Sequence, residues 1–176
     1  MKRNNDDLKV NRSVTMRLIS LTLMLAFIMP VMINAQAGKT NFSGSWALNA
    51  EKSKMGDTGG GRRMGGGNFT ARQEANLLTV ERTRTNQDGQ SVTTTSKYTL
   101  DGKESVNTTG RGSSKSTATW SADGKTLTIV TKSSFNDREF TTTEKWTLTS
   151  PSSLTITSTR PSQDGERTTT MVYDKK

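Results

Sequence analysis

The apolar residues of this chain follow two patterns, and the change falls near residue 38. From Leu18 to Ile33 they form a nearly continuous run, broken only by Ser20, Thr22 and Pro30. Beyond it they alternate with polar residues. Phe42, Gly44, Trp46 and Leu48 share one parity, and Leu78, Val80, Val92, Tyr98, Leu100, Ala118 and Trp120 continue it in later segments. Leu127 and Ile129, Phe140, Trp146 and Leu148, Leu154 and Ile156, and Met171 with Tyr173 alternate in the same way, each within its own segment. Successive side chains of a strand point to opposite faces, so period two places nearly every large apolar residue on one face. No apolar pattern recurs at helical spacing over two turns. Asp88-Gly89, Asp101-Gly102, Asp123-Gly124, Asn136-Asp137 and Asp164-Gly165 punctuate the segments with residues that tolerate the positive φ of tight hairpins.

A repeat sharpens this into a topology. Leu78-Thr79-Val80, Leu127-Thr128-Ile129 and Leu154-Thr155-Ile156 are each followed by a turn, a run of three Thr and an aromatic residue, respectively Tyr98, Trp146 and Tyr173. Each unit reads as one hairpin whose entry pair lies across from the exit aromatic. Consecutive hairpins make an antiparallel up-and-down meander of about eight to ten strands, and closing it into a barrel removes the exposed edges. An open sandwich is the structural alternative.

Composition changes the picture in one respect: the core must be thin. Only 30 % of the chain is hydrophobic and 6 % aromatic, a level that by itself suggests disorder. The period-two placement of the few aromatics argues against that. Ser and Thr fill the rest of the strands, and Thr is β-branched and favours them.

The first pattern reads as a targeting segment. Lys2, Arg3, Lys9, Arg12 and Arg17 precede the apolar run, and Ala35-Gln36-Ala37 follows it as a small-x-small cleavage pattern. A membrane-spanning helix needs about 20 apolar residues, more than the run supplies. Residues 1–37 are therefore expected to be a signal peptide, with translation starting at Met1 or Met16, and residues 38–176 a secreted or periplasmic domain. No Cys stands at the cut, so a lipoprotein is not expected. The segment carries those five basic residues against Asp6 and Asp7, so its removal takes the formal charge from +9 to +6. Lys and Arg alternate with Thr and Ser rather than clustering or interleaving with stacking aromatics, which argues against nucleic acid. Weak attraction to an anionic envelope polymer suits the charge better. A monomer is expected.

The chain has no His and no Cys. That excludes a Ser-His-Asp triad, a thiolate nucleophile, a disulfide and an ordinary zinc site, and neither metal nor cofactor is expected. The inward-facing parity also contains Arg82, Arg84, Ser96, Ser116, Thr142, Glu144, Ser158 and Arg160. Along several strands these occupy one end and the apolar residues the other. Burying a charge unpaired is costly, so Arg82 or Arg160 should pair with Glu144 or line a wet cavity. Arg82, Arg84, Ser96, Tyr98, Glu144, Ser158 and Arg160 are the candidate ligand-binding residues. The alternative is that the strands extend past the core and these side chains are simply solvated. A lone Glu144 is too little for catalysis, so no enzyme is expected. Residues 54–67 are rich in Gly and include Arg62 and Arg63, but no helix follows as a phosphate loop requires, and the stretch reads as a flexible loop.

Gly44 permits close backbone approach on a first strand, and Trp46 is placed to plug one end of a barrel. Here the chain resembles the lipocalin and fatty-acid-binding (calycin) group, whose first strand carries Gly-x-Trp. It is similar, more closely, to small secreted bacterial lipocalin-like proteins. Matching residues are Gly44, Trp46, Leu48, Asn49, Lys52 and Ser53 at the front. Tyr98, Leu100, Asp101 and Gly102 match in the middle, and Trp146, Leu148, Val172, Tyr173, Asp174 and Lys175 toward the end. The resemblance implies a lipocalin-like barrel with a small-molecule pocket. Fatty-acid-binding proteins place two helices after their first strand and an Arg-x-Tyr on their last. This chain has the Gly-rich stretch and Met171 at those places, so the fatty-acid site does not transfer. The expectation is an exported, cofactor-free barrel that binds a small molecule. Its alternative is an envelope-associated interaction or structural module without a cavity.

Overall fold

The structure, a computed structural model, describes residues 38–54, 67–85, 89–109, 112–135, 138–162 and 165–176. Residues 1–37, assigned to a signal peptide above, lie outside them, as does the Gly-rich stretch apart from Lys54 and Gly67. Ten strands follow one another: β1 (Gly44–Lys54), β2 (Phe69–Gln73), β3 (Leu77–Thr85), β4 (Ser91–Thr99) and β5 (Glu104–Thr109). Then come β6 (Gly112–Trp120), β7 (Thr126–Phe135), β8 (Arg138–Ser150), β9 (Ser153–Ser162) and β10 (Gly165–Lys175). Every paired strand is antiparallel to its neighbour, and the sheet order β4-β3-β2-β1-β10-β9-β8-β7-β6-β5 joins the first strand to the last. The fold is all-β, a ten-stranded meander curled into a nearly closed barrel.

The repeat explains the register. Leu78 lies opposite Tyr98, Leu127 opposite Trp146 and Leu154 opposite Tyr173. Each hairpin thus contributes one aliphatic-aromatic cross-strand pair to the interior. On the outer walls, facing Thr hydroxyls pair instead, Thr83 with Thr93 at 2.9 Å and Thr159 with Thr168 at 3.1 Å. Gly89, Gly102 and Gly124 take positive φ at the tight turns expected of them.

The two sheet edges, β4 and β5, are sealed by side chains in place of a backbone ladder. The Asn107 amide accepts from the Lys97 N–H at 2.7 Å and donates to the Lys97 carbonyl at 3.0 Å. Ser105 Oγ accepts from the Thr99 N–H at 2.9 Å. Edge groups that would otherwise be exposed for aggregation are thereby satisfied.

The Leu48-Asn49 and Lys52-Ser53 pairs behind the family resemblance turn out to build a strand irregularity. The β1–β10 register shifts between Asn49 and Lys54. Across the shift, Ser53 Oγ donates to the Asn49 carbonyl at 2.6 Å and accepts from the Val172 N–H at 2.9 Å. Asn49 Nδ2 donates to Asp174 at 2.7 Å, with Lys52 Nζ 3.4 Å from the same carboxylate. These residues stitch the first strand to the last on the outside of the barrel.

One end of the barrel is closed by aromatic packing. Trp46 is buried, and its Nε1–H donates to the Phe42 carbonyl at 3.0 Å. Phe42, which period two put on the first strand, instead precedes it and folds across the closed end. Its ring stacks on Trp120 at 5.7 Å and meets Trp146 edge-on at 5.8 Å. The Gln73 side chain holds this segment, accepting from the Phe42 N–H and donating to the Thr40 carbonyl, both at 3.0 Å. Gly44 has φ +148°, a conformation that disfavours any side chain, and Lys175 lies over Trp46 with Nζ 5.5 Å from the ring.

Candidate functional site

Burial fades along the strands from this closed end. On β3, Leu78 and Val80 are buried, Arg82 is half-buried and Arg84 exposed; on β9, Leu154 and Ile156 give way to half-buried Ser158 and Arg160. Where apolar residues run out, the barrel holds a cavity of about 360 Å³. Arg82, Arg84, Ser96, Glu144, Ser158 and Arg160, six of the seven sequence candidates, line it. Tyr98 does not. It is buried one position deeper in the apolar layer, opposite Leu78, because the transition from apolar to polar falls between it and Ser96. Ser116, also on the inward parity, is buried in the wall and pairs with Thr131 at 2.9 Å.

Beneath the cavity lies a buried aromatic layer, in contact with two opposite charges of the lining, Arg82 and Glu144. Phe69 meets Tyr173 edge-on at 4.9 Å and Trp146 at 5.5 Å. The Arg82 guanidinium lies over the Phe69 ring at 5.0 Å, a cation–π arrangement set by their cross-strand pairing. Its Nε is buried and without a hydrogen-bond partner. On the far side, Trp146 Nε1–H donates to Glu144 Oε2 at 3.0 Å, the two residues lying two positions apart on the same face of β8. Among the described residues no ion pair joins Glu144 to an arginine within 4 Å. Of the two arrangements expected for these charges, this is the open one. Both are felt by the buried tyrosines. Burial pushes the Tyr98 hydroxyl up, with Glu144 adding to the shift and Arg82 opposing it. Tyr173 is also raised by burial, with the same two charges pulling in opposite directions.

Arg167 joins the lining, one step of period two beyond the Thr169 and Met171 positions that the sequence pattern reached. The pattern could have found it by extension toward the β9–β10 turn. The same extension gives its partner: with Leu154 opposite Tyr173, Arg167 falls directly opposite Arg160 in the β9–β10 register. Two like charges face one another across that pair, an arrangement that destabilises a sheet unless an anion or water separates them. The cavity's charged lining is therefore four arginines against Glu144, with Thr94, Thr142 and Thr169 supplying hydroxyls. Among the described residues no cluster of three potential metal-binding side chains occurs, and no helix is long and apolar enough to cross a membrane.

No protein-family profile and no curated protein matches the chain. Its structure is similar to zebrafish ileal bile-acid-binding protein, solved with cholic acid. The TM-score is 0.51 at 21 % identity, covering 77 % of this chain and 98 % of that one. A redesigned β-barrel is also similar at 14 % identity, with 76 % and 90 % covered and a TM-score of 0.35. The first likeness is one of fold alone, an antiparallel β-barrel.

Proposed function

We propose that the chain is an exported, non-enzymatic barrel that binds a small anionic molecule in its polar end. The observation that carries this reading is the cavity of about 360 Å³ lined by four arginines, two of them opposed across one strand pair with no ion pair to a carboxylate among the described residues. Like charges held together inside a concave site favour an anion in their midst. That the zebrafish neighbour is complexed with cholic acid supports a ligand in a barrel of this shape, while the residues lining this cavity are the chain's own. A single carboxylate among arginines supports binding rather than turnover, since acid-base chemistry needs a matched pair of proton donor and acceptor. The cavity favours this reading over an envelope module with a filled interior. Export rests on the apolar run and Ala35-Gln36-Ala37, and predicts a mature chain beginning at Gly38.

Mild purification from cells followed by native mass spectrometry should recover a small organic anion bound to the barrel. Its readdition should change Trp146 emission, because that buried indole is hydrogen-bonded to Glu144, which lines the cavity. A chain that emerges empty and gives no fluorescence response to an extract of acidic metabolites would sink the binding role. Cell fractionation with N-terminal sequencing tests export, and a full-length chain retained inside the cell would refute it.

A further inference from the structure

The cavity floor does more than attract anions. Four arginines would suffice for that, yet one carboxylate is also present there, oriented by a single hydrogen bond. Trp146 Nε1 holds Oε2 at 3.0 Å, while Oε1 accepts no hydrogen bond among the described residues. Arg82 is held just as firmly, its guanidinium against Phe69 and its buried Nε–H unused. Phe69 and Trp146 touch at 5.5 Å, so both charges stand on one aromatic platform, and they do not neutralise each other within 4 Å. A bare anion drawn to Arg82 would sit in the field of Glu144 and leave its free oxygen unanswered. A ligand with a hydroxyl or ammonium beside its acid group would answer both.

We propose that Arg82 and Glu144 are specificity-determining residues that select an acid carrying a hydrogen-bond donor on the neighbouring carbon, an α-hydroxy or α-amino acid head. Arg82, which lines the cavity, takes the carboxylate through the outer nitrogens of its guanidinium. Glu144 Oε1 accepts from the hydroxyl or ammonium. Arg84, Arg160 and Arg167 stand nearer the open end, where they draw the acid in by charge without reading its neighbour. The inference rests on the binding role proposed above, and adds to it a discrimination that attraction between arginines and anions does not give.

Three probes share a ring and a carboxylate and differ only at the adjacent carbon: phenylacetate, mandelate and phenylglycine. Calorimetry and Trp emission on the full chain should rank mandelate and phenylglycine about tenfold or more above phenylacetate, since a hydrogen bond to a charged group discriminates by that much. Glu144→Gln keeps an oxygen for the Trp146 N–H, and should bring the three probes to within about twofold of one another. Arg82→Lys keeps the charge but lacks the two-pronged guanidinium, and should weaken all three. Thermal melts of both variants separate lost recognition from lost folding. Equal binding of all three acids by the parent would overturn the selectivity while leaving the binding role intact. So would a retained natural ligand with no donor beside its acid group. If no probe binds and no retained molecule is found, both readings fail.

Discussion

The two ends of this barrel are made by the same strands and obey opposite rules. At the closed end, Trp46, Phe42, Trp146 and Leu154 are fully or almost fully buried and the peptide segment before β1 is drawn across them. At the polar end, arginines replace them on the same parity, Arg160 faces Arg167, and a cavity takes the place of packing. A chain with so few apolar residues cannot fill a ten-stranded barrel along its whole length. The apolar residues are concentrated where they can touch one another, so close packing and the charged cavity fall in different halves.

The sharpest way to break this contrast is Trp46→Ala. It removes a fully packed aromatic and the hydrogen bond that anchors Phe42, a change expected to cost about 3–5 kcal/mol, much of the whole stability of a typical domain. Cooperative unfolding should disappear from the thermal melt, and a transition near the parent's temperature would remove the plug role. Next in size is Asn107→Ala at the β4–β5 seam. Two part-buried hydrogen bonds to the Lys97 backbone are lost, expected to cost about 1–3 kcal/mol together. Faster amide exchange at Lys97 than at the laddered strands would report it, and unchanged protection would show that the seam is held otherwise. At the polar end the sign should reverse. Arg167→Thr relieves the pair with Arg160 and suits a strand, so the ligand-free chain should gain about 0.5 kcal/mol at low salt, less at high salt. A lower melting temperature would mean that Arg167 packs as a structural residue.

The smallest effect separates the two ends by pH. Asp101, Asp123 and Asp174 lie at turns and strand ends of the closed half. The Lys103 backbone N–H, with its side chain, holds Asp101 down to about 2 from an ordinary 3.8. Ser121 lowers Asp123, and Asn49 lowers Asp174. A depressed carboxyl favours the folded state above its unfolded value, so this contribution is complete above about pH 4 and fades as pH falls toward 2. Tyr98 and Tyr173 shift the other way, so their contribution is complete below pH 10.0 and fades as pH rises past it. Melting temperature should therefore fall at acid pH, with the closed-half turns exchanging first. Loss of protection starting at the polar end would contradict the assignment.

Much of the fold was legible because strands write themselves in period two. The alternation of Leu78, Val80 and Tyr98 with Thr named the buried face, and the spacing to each exit aromatic predicted the hairpin register. Six of seven candidate site residues fall in one cavity for the same reason: parity says which side a residue faces. Tyr98 shows the limit of that reasoning, since parity carries no depth. Phe42 shows another. It kept the parity of Trp46 but left the strand, because the open end of an aromatic cluster needed covering and Gln73, distant in sequence, supplied the hydrogen bonds that hold it there.

The sequence by itself determined the strand faces, the turns and the thinness of the core, because all three depend on neighbours along the chain. Only the tertiary structure decided that β1 meets β10, that Asn107 closes the seam, and that Arg82 and Glu144 stand on one aromatic floor without pairing. Those outcomes depend on the curl of the whole sheet, which brings distant strands to a common depth and sets how far apart their charges come to rest.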